Sequence, residues 1–179
     1  MKMTTMTTLT ASLDKLKLTE ELQKEVYNVL IESGCTELVI KKFKVPALGL
    51  TVDSTIYLNS DLLTANTEIL VSILLHEAAH CHQFKKYGKE KMYEMFLRDM
   101  NHDEAASFIK AAEEVADEYS IRKVRKLKSA NLLHKNFQPM GFHKTLPVSF
   151  IKLKFEDYKE NLGKVNDVDD VMRFFINQL

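Results

Sequence analysis

Apolar residues in Thr19 to Ser33 (TEELQKEVYNVLIES) recur as Leu22, Val26, Val29 and Leu30, one stripe of a 3.6-residue repeat. The pattern predicts an amphipathic helix with Thr19 as its N-cap and Gly34 as its stop. Glu37 to Lys44 and Ser54 to Asn59 are short and rich in β-branched and aromatic residues, and Pro46, Gly49 and Asp53 separate them. They read as two strands of a small sheet. From Thr67 to Tyr87 (TEILVSILLHEAAHCHQFKKY) apolar residues lie almost all round the first half, which predicts a central buried helix ending at Gly88. Another helix is expected from about Asp103 to Lys126, starting near Asn101 or His102 and ending on Arg122, Lys123, Arg125 and Lys126, charges that suit the negative end of a helix dipole. Ala130 to Ser149 loses its periodicity around Pro139, Gly141 and Pro147 and reads as an irregular connecting loop. Two helices, about Ser149 to Asn161 and Asp167 to Gln178, then close the chain. The sum is an α+β domain, mostly helical, with a small sheet packed on the Thr67 to Tyr87 helix. No linker separates two cores, so residues 1–179 form one domain, with the Thr-rich first 15 residues a candidate disordered start.

Composition narrows the function classes. A chain of 179 residues with 45% hydrophobic and 28% charged residues suits one globular domain, and 25 basic against 25 acidic side chains argue against a polyanion or anionic-lipid binder. The longest apolar run, Ile69 to Leu75, falls far short of the roughly 20 residues that span a bilayer, so no membrane partner is expected. The N-terminus lacks a secretory apolar stretch, and Cys35 and Cys81 are too few for a disulfide framework. A cytoplasmic protein with two buried thiols is the expectation.

The residues that carry chemistry are His76-Glu77-Ala78-Ala79-His80, the His-Glu-x-x-His pattern of zinc metalloproteases, inside the central helix. Positions 76 and 80 lie one turn apart on one face, so both imidazoles can meet one zinc ion while Glu77 projects toward a water on it. Ile73, Leu74 and Leu75 make the preceding turn apolar. Two His and a Glu buried there would be costly unless a metal or hydrogen bonds satisfied them. A catalytic zinc takes three protein ligands and keeps one open position. A metzincin third His is excluded, because Lys86 and Gln83 occupy the positions that pattern requires. The better candidate lies in the next helix, where Glu113-Glu114-Val115-Ala116-Asp117 gives a Glu followed four residues later by Asp.

This arrangement resembles the gluzincin metallopeptidases, the thermolysin-like group in which His-Glu-x-x-His on one helix is completed by Glu-x-x-x-Asp on the next. The form Glu-x-x-Ala-Asp is similar to that of short members such as the ImmA/IrrE-type proteases and HtpX-like catalytic domains. The resemblance covers about Ser54 to Tyr119. It implies a zincin-like fold, zinc bound by His76, His80 and Glu113, and Asp117 as the carboxylate that accepts a hydrogen bond from a ligand His. Side chains four apart share a helix face, so Glu113 can reach the metal while Asp117 orients an imidazole. Residues IYLNSDLL (56–63) resemble the edge strand and loop that these proteases place beside the substrate.

Alternatives stay open at this stage. Glu114 neighbours Glu113 but has Glu118, not Asp, four residues on, and His102 could complete a three-His site of the kind found in SprT-like, DNA-associated proteases. His82 lies about 200° round the helix from His80 and cannot share its metal. His134, His143 and Tyr119 are candidate donors to a tetrahedral oxyanion. The implied reaction is peptide-bond hydrolysis of a protein or peptide substrate, with one Zn2+ lowering the pKa of bound water toward about 7 and Glu77 as general base. Two rival readings are a non-catalytic binding or regulatory protein stapled by zinc, for example a phage-type inhibitor, and a protease docked on DNA through Arg122 to Lys128, which the neutral net charge disfavours.

Overall fold

The computed structural model describes residues 2–45, 47–94, 101–139 and 167–179. Helix α1 (Lys2–Asp14) and α2 (Glu20–Ser33) precede strands β1 (Glu37–Lys41), β2 (Gly49–Val52) and β3 (Thr55–Asn59). A 3-10 turn, Ser60–Thr64, leads into α3 (Thr67–Tyr87) and the short α4 (Lys89–Met92). Helices α5 (His102–Ser129) and α6 (Val168–Gln178) complete the described elements. The chain is therefore α+β and mostly helical, with a small mixed sheet.

Local chemistry sets these boundaries. Helix α2 begins where the Thr19 side chain accepts from Leu22 N and ends at Gly34, whose φ of 90° is the left-handed value that glycine takes without strain. Helix α3 is capped by Asn66, and α5 opens on a reciprocal capping box between Asn101 and Glu104.

The sheet has the order β1-β3-β2, with β1 parallel and β2 antiparallel to β3. Strands β2 and β3 form a hairpin in which Val52 pairs with Thr55, and Asp53 at the turn takes a left-handed φ of 55°. Helix α3 packs against α2 on one side, α5 on another and β2 and β3 on a third, so it is buried on nearly every face. Leu22, Val26 and Leu30 of α2, Leu38 of β1, Ile56 and Leu58 of β3, Leu70, Val71, Leu74 and Leu75 of α3 and Val124 of α5 form one core. A second cluster, Phe84, Tyr93, Val168 and Val171, seats α6 against the end of α3, and Lys89 pairs with Asp169 beside it.

Four expectations need correction. The start of the chain is helical, not disordered, because Leu9, Leu13 and Leu16 recur at helical spacing and bury themselves in the main core. The sheet has three strands, since Gly49 to Val52 forms β2 against α3, and β1 stops at Lys41 instead of reaching Lys44. Residues Ile56 to Asn59 belong to the central strand, so the edge strand beside the His-Glu-x-x-His turn is β2. Helix α5 also runs three residues past Lys126, to Ser129. The expected helix at 149–161 and most of the 130–149 loop lie outside the described residues, while residues 130–139 are irregular as expected. Among the described residues no helix is long and apolar enough to cross a membrane.

Candidate metal centre

Helix α3 is apolar on so many faces that its second half carries His76 and Glu77 into the interior, 5% and 7% exposed. Helix α5 crosses it through small residues. Ala116 is fully buried and Ser120 Oγ donates to Ser72 O across the contact, 3.2 Å. That close crossing brings Glu113 over His76 and His80.

The three side chains converge. His76 Nε2 is 3.0 Å from Glu113 Oε2, His80 Nε2 is 3.2 Å from His76 Nε2, and His80 Nε2 is 3.4 Å from Glu113 Oε1. A tetrahedral ion with bonds of about 2.0–2.1 Å sets its ligand atoms about 3.3–3.4 Å apart, so the donor triangle has a suitable size. The far nitrogen of each ring is engaged elsewhere. His76 Nδ1 donates to Asp117 Oδ1 at 3.0 Å, where Asp117 is 1% exposed, and His80 Nδ1 meets Gln83 Oε1 at 2.8 Å. With both Nδ1 atoms protonated, two imidazole lone pairs and a carboxylate face one another in a buried space. Such a group requires a cation at its centre, either a proton or a metal.

The electrostatics say the same. Burial opposes charging His76, but hydrogen bonds to Asp117 and Glu113 outweigh it and push its pKa up to about 10. His80 is raised too, its burial being outweighed mainly by the charge of Glu113. Burial works against an ionised Glu113, yet the facing imidazoles hold its carboxyl well below the usual carboxylate range. Glu77 adds negative charge felt by both rings. His76, His80 and Glu113 thus form a group that could hold a metal ion, built from two nitrogens and one oxygen.

Strand β2 fixes Glu77. Thr51 Oγ1 lies 2.8 Å from Glu77 Oε2, to which it donates, and 2.9 Å from the Glu77 carbonyl oxygen. Gly49 lies against the same carboxylate so closely that a Cβ there would stand 2.7 Å from Oε1 and 2.8 Å from Cγ. The strand therefore holds Glu77 by a hydrogen bond at one oxygen and by shape at the other.

The remaining candidates fall elsewhere. Glu114 is exposed and turned to Lys110, 3.9 Å away. His102 is the first residue of α5, and its side chain lies outside the described residues. His82 is exposed and stacks on Tyr119 at 5.7 Å between centroids, and Lys123 lies over the same Tyr119 ring. His134 is exposed, its Nδ1 accepting from Asn136 N, and is not among the groups facing His76 and His80. His143 lies outside the described residues. Cys35 and Cys81 are free, buried thiols. Sequence reasoning missed two contributors. Thr51 sits in a strand too short to show a period, and Gln83 stands three residues after His80 on the same helix, a spacing that brings the two side chains together. Comparison with family models, with curated proteins and with solved structures finds no match to this chain, so a functional reading rests on the arrangement of these side chains.

Proposed function

We propose that the protein is a zinc-dependent metallopeptidase of gluzincin type. The observation that carries this reading is the convergence of His76 Nε2, His80 Nε2 and the Glu113 carboxylate within one buried group, with Glu77 fixed beside it. Two neutral imidazoles and one carboxylate, leaving a position open, form a donor set that suits a catalytic zinc. When bound there, zinc supplies Lewis acidity, polarising a carbonyl and making water acidic near neutral pH. The chain's own groups do the rest. Asp117 and Gln83 keep both rings turned so that Nε2 faces inward. Glu77 takes a proton from the attacking water and passes it to the leaving amine, and the Thr51 hydroxyl keeps that carboxylate aimed. Protein or peptide is the substrate class this chemistry serves.

Purified protein given a mixed peptide library, read by mass spectrometry, tests the proposal. Cleavage that a strong zinc chelator stops and added zinc restores is the expected result; no cleavage in any metal state contradicts it. The packing of β2 on Glu77 adds a second expectation. Gly49→Ala forces the carboxylate off its position and lowers turnover by about 100-fold, the order of loss expected from a misplacement of about 1 Å, while zinc content stays at one per chain. Unaltered turnover in Gly49→Ala would mean that Glu77 does not work from the position seen here.

A further inference from the structure

We propose that Gln83 is a positioning residue of the metal centre, setting which nitrogen of His80 faces the ion and tying that choice to the helix that carries Glu113. The inference rests on the metal-binding part of the reading above and extends it to a residue outside the donor group.

Gln83 is 4% exposed, and both ends of its amide are occupied. Nε2 donates to the backbone carbonyl of Ala112, 2.8 Å away on α5, and Oε1 lies 2.8 Å from His80 Nδ1. A carbonyl only accepts, so the NH2 end must face Ala112 and the oxygen must face the imidazole. An amide oxygen also only accepts, so Nδ1 of His80 carries a proton, and in the neutral ring the lone pair is left on Nε2. The orientation of one amide, fixed by a backbone atom on another helix, thus sets the tautomer of His80. Ala112 immediately precedes Glu113, so the same side chain anchors α5 at the residue that presents the third donor. His76 receives the matching service from the carboxylate of Asp117. Gln83 performs it with a neutral group, leaving the buried site without a further negative charge. Hydrogen-bond partners that orient metal-ligating histidines typically contribute 10- to 100-fold in metal affinity.

Two substitutions in the full-length chain test this. Gln83→Met fills the same space with an unbranched side chain but removes both hydrogen bonds. Gln83→Glu keeps an oxygen for the imidazole N–H and loses the donor to Ala112. Zinc affinity is measured by competition with a chromophoric chelator, with the thermal midpoint of the metal-free protein alongside. The Nδ1–H signal of His80 is followed by nitrogen-15 NMR in the zinc-loaded protein. The expected result is a 10- to 100-fold loss of zinc affinity in Gln83→Met, with a His80 Nδ1–H that exchanges rapidly with water, and recovery of most of the affinity and of a slowly exchanging signal in Gln83→Glu. A role in packing alone would lower the thermal midpoint and leave affinity and the NMR signal unchanged, which would overturn the inference. Should Gln83→Met not fold, Gln83→Glu decides alone: a lost Nδ1–H signal with weakened zinc binding would also overturn it. The parent protein separates this from the larger reading. Zinc binding without peptide cleavage would end the peptidase assignment and leave Gln83 testable, whereas equal zinc affinity in parent and Gln83→Met would end only the role of Gln83.

Discussion

Glu77→Gln should reduce peptide hydrolysis by about 100- to 10,000-fold, the usual span for removing a general base, while the purified variant carries as much zinc as the parent. The structure makes this substitution clean. Gln is isosteric with Glu, and its side-chain oxygen can still accept from the Thr51 hydroxyl that now bonds Oε2. The side chain therefore stays in place beside the imidazoles and loses only its basicity. Glu77 is outside the donor triangle, so the metal has no reason to leave. A variant that keeps full turnover would remove Glu77 from the chemistry. One that loses zinc along with turnover would make Glu77 part of the metal-binding set, and the site would then be the closed, four-ligand kind that staples a fold.

Glu113→Ala has the opposite signature: zinc binding should weaken by more than about 100-fold, since even outer hydrogen-bond partners of ligands contribute 10- to 100-fold. Glu113 supplies the single oxygen of the group and is the leading cause that raises His80. Its neighbour cannot replace it, because Glu114 points to solvent and Lys110. Asp117 is already committed to His76 Nδ1 on the far side of that ring. Removing Glu113 leaves two imidazoles facing each other at 3.2 Å with no carboxylate between them, and His76 should titrate closer to its ordinary range once this partner is gone. Chelator competition measures the affinity directly. Parent-like zinc affinity in Glu113→Ala would place the third ligand outside the residues assembled here.

Much of this was legible in the sequence wherever a physical signal was local. Helices α2 and α3 announced themselves by periodicity and by caps at Thr19, Gly34 and Gly88, and α5 by its start near Asn101 and its basic end. The His76, Glu77 and His80 spacing required only helix geometry. Pairing them with Glu113 and Asp117 leaned on the gluzincin resemblance, and the crossing of α3 over α5 places those side chains within hydrogen-bond distance of His76. Strand β2 escaped because Gly49-Leu50-Thr51-Val52 is too short for a period and lies between turn residues; what makes it a strand is its pairing with β3 and its packing on α3. The edge-strand expectation therefore falls on the residues of β3 instead. Helix α1 was hidden by its Thr-rich composition, although Leu9, Leu13 and Leu16 carried the helical spacing. Thr51 and the Ala112 end of Gln83 depend on contacts between elements 26 and 29 residues apart, and no local pattern encodes those.

One cation is expected among His76, His80 and Glu113. Anomalous diffraction at the zinc absorption edge, from crystals of protein purified without added metal, tests it most directly. A single peak is expected about 2.0–2.2 Å from His76 Nε2, His80 Nε2 and a Glu113 carboxylate oxygen. A peak elsewhere, or none even after zinc is supplied, with Glu113 turned to solvent and the two rings bonded only to protein groups, would contradict it.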